Sequence, residues 1–521
     1  MNTHTEIRPS RSGGRAARRA ARATKLADDI RPVRPGLEGG VLKPLGQSDI
    51  ERIDDAVMRC LEEIGLADAP PSGIEIMTRA GAILGEDGRL RFPRALVEDT
   101  LALAAKSFKL HGRHPDFDLK LGGKAVHFGT AGAAVHKVEL NGKDYRDSTV
   151  KDLQDAGRLV EQLDNIHFFQ RPMVARDIAD NREMDYNTLY ACTSGTRKHV
   201  GTSITDPAHV PDILEMLHII AGSEEAWRAR PFVSNTNCFV VPPMKFATES
   251  CEVMEACIRG GMPVLLLSAG MAGATAPATL AGAIVQATAE CLAGLVYVNA
   301  IAPGHPAIFG TWPFGLDLRT GAMSIGSGEQ ALLSAGCAQM HQFYGLPGGA
   351  AGGASDAKLP DMQAGWEQMC SNVMAGLAGC NMVYEAAGMH ASLLGFCFES
   401  LVLGDDMIGQ ALRCVRGIEV SDDALAIETI RATVLGADGE GGVGHYLGAE
   451  QTLSRMQKDF VYPDLGDRTS PKEWAENGKP DLLEKAKERT AQLLANPATA
   501  AFDAATDAAL RARFNIHLPA I

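Results

Sequence analysis

One run of the chain gathers the residue types that chemistry needs: Gly345-Leu-Pro-Gly-Gly-Ala-Ala-Gly-Gly-Ala-Ser-Asp-Ala-Lys-Leu-Pro-Asp-Met-Gln-Ala-Gly365. Its glycines allow the backbone to approach a ligand closely. Asp356, Lys358 and Asp361 follow in a turn-rich stretch, and Pro360 with Asp361 stand where a helix should begin. A lysine in this position could form a Schiff base, as in an aldolase, and borohydride would trap the adduct. An ion pair from Lys358 to Asp356 or Asp361 is the commoner arrangement. Other chemistries have no support: there is no GxSxG elbow, no HExxH and no Walker-type glycine loop. His199 and His390 lack metal-ligand spacing, so no metal is expected, and His199 reads as a hydrogen-bonded core residue.

These residues must be positioned by a repeating pattern in the middle of the chain. Eight short β-rich runs end in small or polar residues: Val126–Gly129, Ile166–Gln170, His199–Ser203, Phe232–Asn235, Pro263–Ser268, Ala307–Thr311, Leu346–Gly352 and Met382–Ala387. Helical stretches stand between them, including 151–163, 211–220, 249–259, 276–296, 329–343 and 361–378. Strands alternating with helices indicate a parallel sheet, and eight units over about 260 residues fit a closed barrel. The expectation is an α/β chain, a (β/α)8 TIM-type barrel over 121–395. A basic tail (1–40), a small α+β module (41–120) and a helical C-terminal extension (396–521) are expected around it. The rival is an open doubly wound sheet, supported by Gly439-Glu-Gly441-Gly442-Val-Gly444, but neither a preceding strand nor a following acidic strand end accompanies that motif. It reads as a loop.

In a barrel, function gathers at the C-terminal ends of the strands. Those ends carry Thr130, Gln170, Arg171, Ser203, Asn235, Asn237, Ser268, Thr311, Trp312, Ser355, Asp356, Tyr384 and Glu385. The ring is polar, with few acids.

Composition narrows the classes further. A net charge of −14 argues against a general nucleic-acid binder, which needs a basic face. The 11 cysteines show no CxxC spacing, so a reducing, cytoplasmic setting is the default. The most apolar segment, 276–302, is interrupted by Glu290 and Asn299 and reads as a buried helix running into a strand rather than a membrane span. Seven basic residues and no acidic ones lie between Arg8 and Lys25; a solvated tail is expected, with a transit peptide or an acidic-surface tether as alternatives.

The run Gly353-Ala-Ser-Asp-Ala-Lys-Leu-Pro-Asp-Met-Gln-Ala-Gly365 resembles the signature of the trimethylamine methyltransferase family. Phe128-Gly-Thr130, Pro172 through Asp177, Gln342-Phe-Tyr-Gly-Leu-Pro347, Leu377-Ala-Gly-Cys-Asn381, Gly388-Met389 and Gly417-Ile418-Glu-Val420 extend the likeness along most of the chain. The resemblance implies a barrel that moves a methyl group from an amine to the Co(I) of a separate corrinoid protein. The corrinoid would then be supplied by the partner, with no cofactor held tightly by this chain. In the archaeal trimethylamine enzymes a pyrrolysine precedes the Ser-Asp-Ala-Lys run and is thought to activate the amine; here that position is Ala354. Alanine has no electrophilic imine. A quaternary amine needs none, because its nitrogen is already cationic, so the chain is more similar to the non-pyrrolysine branch, which includes glycine betaine methyltransferases.

On that resemblance, Ser355, Asp356, Lys358 and Glu385 are the expected catalytic residues, with Asp356 or Glu385 balancing the ammonium charge. Trp312, Phe314 and Tyr384 are cage candidates, since aromatic faces attract quaternary ammonium. Arg171, beside Gln170, is the expected clamp for a substrate carboxylate, with Lys358 as the alternative. The partner corrinoid protein would dock at the barrel mouth, and a homo-oligomer is expected. Three alternatives stand beside this: transfer from trimethylamine despite Ala354, a betaine-binding barrel without chemistry, and a lysine-dependent aldolase.

Overall fold

The computed structural model describes residues 31–520 apart from 437, 438 and 440, so the basic run Arg8–Lys25 lies outside the described residues. Eight parallel strands form the centre: β1 (Ala125–Phe128), β2 (Phe169–Gln170), β3 (Val200–Thr202), β4 (Val233–Asn237), β5 (Val264–Ser268), β6 (Ala307–Thr311), β7 (Gly348–Ala351) and β8 (Met382–Tyr384). From β2 to β8 each pairs in parallel with the next, and β8 pairs in parallel with β1. A parallel bridge between Gly129 and Phe168 joins the end of β1 to the start of β2. That bridge closes the sheet and rules out the open doubly wound arrangement. Every residue of β5, β6 and β7 is buried, as strands covered on both faces must be.

A helix follows each strand: α1 (Val150–Glu161), α2 (Asn181–Gly195), α3 (Val210–Ala221), α4 (Thr248–Arg259), α5 (Leu280–Ile301), α6 (Gly328–Tyr344), α7 (Met362–Ala378) and α8 (Phe398–Arg416). Their starts are written locally. Thr149, Asp180, Thr279, Ser327 and Asp361 each accept a backbone N–H of the first turn, satisfying a donor that the helix itself cannot. The eighth helix lies beyond residue 395, and the turn before it, with Gly395–Phe396, belongs to a small sheet with the hairpin His136–Glu139 and Asp144–Asp147.

At 22 residues and a mean hydropathy of 1.5, α5 is long and apolar enough to cross a membrane, yet 83% of that window is buried in the fold. The cause is packing on both sides. One face lies on β5 and β6, and the other receives the N-terminal helices Gln47–Arg59, Pro71–Ala80 and Arg94–Leu103. Tyr297 of α5 donates to Glu255 of α4, which also accepts from Ser72 at 2.7 Å, tying the N-terminal module to the barrel wall.

Residues 35–416 and the described residues from 463 on form one compact unit. Its C-terminal part returns to the barrel's outer wall, where Arg158 of α1 donates to the carbonyl of Leu494 at 2.7 Å and Asn187 of α2 to that of Asn515 at 2.9 Å. The described residues of the second unit, 31–34 and 417–462, contain the short helices Asp422–Leu425, Ile427–Leu435 and Glu450–Lys458. Within it Arg455 pairs with Glu419 at 2.8 Å and with Asp423. No helix begins at Gly444; the next starts at Glu450, so the glycine motif lacks the helix N-terminus that would hold a pyrophosphate.

Candidate functional site

The C-terminal ends of β1, β2, β3, β4, β5, β6 and β8 enclose a cavity of about 360 Å3. Its wall includes Gln170 and Arg171 after β2, Ser203 after β3, Thr236 to Cys238 on β4, Trp312 and Phe314 after β6, and Glu385 after β8. Leu393, from the β8–α8 connection, completes it. A larger groove of about 670 Å3 runs between α7, α8 and Leu482–Leu483. Its aspartates, Asp361, Asp406 and Asp481, already accept backbone N–H groups, so the mouth of the barrel holds the more reactive chemistry.

Glu385 is 1% exposed, and its Oε2 has no hydrogen-bond partner among the described residues. Burial pushes its carboxyl up to about 8, because a carboxylate removed from water without a partner is costly. The residue sits in left-handed backbone at φ 60°, which turns it out of the β8 line.

Arg171 is half-buried on the same wall. Its Nη2 donates to Ser203 Oγ at 2.7 Å and Nη1 to the Met173 carbonyl at 3.3 Å, while Nε is buried without a partner among the described residues. Among the described residues it makes no ion pair with Glu385 or any other carboxylate, and burial lowers the pKa of its guanidinium. Gln170 accepts from Thr236 Oγ1 at 3.0 Å. It lies flat across β3 only because residue 201 is glycine: a Cβ there would stand 1.6 Å from Gln170 Oε1.

Trp312 and Phe314 line the cavity and are almost fully buried. Behind them Tyr384 packs on Trp312 with centroids 4.9 Å apart and edge-on to Phe168 at 5.0 Å, and burial pushes its hydroxyl far up. Trp312 Nε1 donates to the Gly349 carbonyl at 3.1 Å. The glycines of β7, expected to admit a ligand, instead admit the protein's own rings. A Cβ at Gly349 would come within 2.5 Å of Tyr384, and one at Gly348 within 1.9 Å of His341.

The signature residues sit beside the cavity rather than in its lining. Ala354 and Ser355 are buried, and Ser355 Oγ donates to Glu367 Oε2 of α7 at 2.6 Å. Asp356 accepts from the backbone N–H groups of Ile325 and Gly326, both at 3.1 Å, and from Ser392 Oγ at 2.7 Å. Lys358 is exposed, and its Nζ donates to the Asp356 carbonyl at 2.7 Å rather than to a carboxylate. His199 bonds the His111 carbonyl at 2.8 Å and Ser234 at 3.0 Å; burial lowers it to about 4. Sequence reasoning singled out seven lining residues, Gln170, Arg171, Ser203, Asn237, Trp312, Phe314 and Glu385. It missed Thr236, Cys238 and Leu393 as wall. β4 runs to Asn237 rather than Asn235, which places Cys238 at the rim, and nothing in the spacing of Leu393 distinguishes it from a packing leucine.

The family model described as trimethylamine methyltransferase (MTTB) matches residues 11–516. The chain is 31% identical over 470 residues to a glycine betaine methyltransferase of Desulfitobacterium hafniense, covering 90% of this chain and 95% of that protein. It is 29% identical over 463 residues to trimethylamine methyltransferase MttB of the same species, covering 88% and 91%. To trimethylamine methyltransferase MttB of Methanosarcina thermophila it is 32% identical over 480 residues, covering 90% and 96%. With its eight-stranded barrel matched by this model over residues 11–516, the chain belongs to the trimethylamine methyltransferase family.

Proposed function

We propose that the chain takes a methyl group from a small quaternary ammonium carboxylate of betaine type and passes it to a separate corrinoid protein. The observation that carries the reading is the pair Glu385 and Arg171: one cavity, a carboxyl and a guanidinium, and no ion pair between them. A zwitterion with its ammonium at Glu385 and its carboxylate at Arg171 would satisfy both. Trp312 and Phe314 offer the ring faces that attract a desolvated ammonium group, by about 1–2 kcal/mol each. Ala354 leaves the chain without an electrophile to activate a neutral amine, which favours a donor that is already cationic.

The reaction asks these residues for position and dryness rather than for proton transfer. The partner's Co(I) corrinoid is the acceptor substrate and supplies the nucleophile. As the amine is displaced in line, a bond from the methyl carbon to the acceptor's cobalt would form while the C–N bond breaks; the C–N electron pair stays on nitrogen, and a neutral tertiary amine leaves without needing a proton. Glu385 and the rings would hold the nitrogen, Arg171 and Ser203 the carboxylate, and the apolar wall would keep water away from the reacting carbon.

Access for the partner is supported by the apolar residues on the same face. Val241, Leu318 and Leu394 lie on the connections that follow β4, β6 and β8, Met362 and Trp366 stand at the start of α7, and each is more than half exposed. With this reading go a cytoplasmic setting and a homo-oligomeric assembly. The test is methyl transfer to reduced cobalamin, followed as loss of the Co(I) absorption, with glycine betaine, carnitine, choline and trimethylamine compared in parallel. Turnover of a betaine and none of trimethylamine is expected; turnover of trimethylamine alone would overturn the reading.

A further inference from the structure

Ala391, Ser392 and Leu393 hold three successive non-glycine residues in left-handed backbone, at φ 51°, 53° and 75°. There the Cβ crowds the following carbonyl, so a run of three persists only where its surroundings over-determine it. The surroundings are the family signature. Ala391 N donates to the Ala357 carbonyl at 2.9 Å and Ser392 N to the Ser355 carbonyl at 3.1 Å. Ser392 Oγ donates to Asp356 Oδ1 at 2.7 Å, and the same carboxylate takes the N–H groups of Ile325 and Gly326. One side chain thus joins the connections after β6, β7 and β8. The next residue past Ser392 is Leu393, which forms part of the cavity wall.

We propose that Leu393 sets the size of the ammonium group the cavity admits, and that Asp356 is the positioning residue that holds Leu393 there. This rests on the reading of the cavity as an ammonium site. Asp356 does not line the cavity, so it would act through the turn and not on the substrate. An asparagine could not replace it: whichever way its amide turned, the NH2 would face a backbone N–H, that of Ile325 or that of Gly326, where the carboxylate now accepts. In an apolar pocket one methylene misplaced is worth roughly 10- to 200-fold in discrimination, so a small shift of Leu393 should be legible in the size limit.

The test uses binding alone, so it is independent of methyl transfer. The full chain would be titrated calorimetrically with tetramethylammonium and with tetraethylammonium chloride, as wild type, Leu393→Ala, Asp356→Asn and Ser392→Ala. Wild type should prefer the smaller ion at least tenfold. Leu393→Ala and Asp356→Asn should each cut that preference by tenfold or more, with Ser392→Ala between them and wild type. A merely structural role for Asp356 would lower affinity for both ions together and leave the ratio alone; that result, or an unchanged ratio in Leu393→Ala, overturns the proposal. If Asp356→Asn fails to fold, Ser392→Ala decides, an unchanged ratio there overturning it as well. Silence with both ions in wild type would overturn the ammonium reading of the cavity and this inference with it, whereas tetramethylammonium binding with an unmoved ratio removes the inference only.

Discussion

Arg171 and Glu385 line the same cavity and leave each other unpaired: Arg171 spends its two Nη atoms on Ser203 and the Met173 carbonyl, while Glu385 Oε2 has no partner among the described residues. Proteins pair buried opposite charges where they can, because desolvation otherwise goes uncompensated. An unpaired set around one cavity is therefore a template for a ligand with the complementary charges.

Removing one charge at a time should separate the two halves of that ligand. Arg171→Met should weaken binding of glycine betaine by roughly ten- to hundredfold, the usual worth of a charged hydrogen bond, and leave tetramethylammonium nearly unchanged. Glu385→Gln should weaken both. Calorimetric titration of the two ligands checks this, and equal losses for both ligands in Arg171→Met would remove the carboxylate half of the reading.

The titration of Glu385 gives a pH signature. Its carboxyl titrates near 8 when folded, against 4.5 for an unperturbed glutamate, so the folded state binds more protons than the unfolded state between those values. Stability should then fall as pH rises from about 4.5 to 8, by up to about 1.4 kcal/mol per unit from this group. Glu385→Gln lacks that slope. The variant should match wild type near pH 5 and exceed it above pH 8 in denaturant midpoint, and parallel profiles would contradict it. Cation affinity in wild type should rise over the same window, because binding requires the charged carboxylate.

Two glycine substitutions should have opposite signs. Gly349→Ala sets a methyl 2.5 Å from Tyr384 and should cost about 1–3 kcal/mol through the Trp312–Tyr384 stack. Gly365→Ala, inside α7 with nothing within 4 Å, should stabilise by about 0.5–1 kcal/mol. Thermal melts of the two variants decide the pair.

Lys358 is exposed and anchored to a backbone carbonyl, outside the cavity wall. Borohydride should trap no substrate on it, and Lys358→Gln should keep methyl transfer within about tenfold of wild type. A trapped adduct would restore the aldolase reading.

Much of the barrel was legible because a parallel strand covered on both faces reads as a short apolar run ending in a turn, and all eight runs became strands. Helix α2 was not legible. Asp185 to Gly195 are buried without a break, which erases the one-sided apolar period by which a surface helix is recognised. Gly348 and Gly349 were visible but their reason was not, since nothing local says that His341 and Tyr384 fill the space they leave.

By itself the sequence determined the alternation of strand and helix, the polar residues at the strand ends, the helix caps, and the run Ser355 to Lys358 that marks the family. Those are local properties, set by periodicity and by side chains meeting their own backbone. Tertiary structure alone decided which of these residues share a cavity. It put Glu385 beside no counter-ion among the described residues, turned Arg171 towards Ser203, and gave Asp356 to the loops at Ile325 and Ser392 rather than to the cavity. The reason is that a charge's partners lie tens of residues away along the chain, and closure of the barrel brings them together.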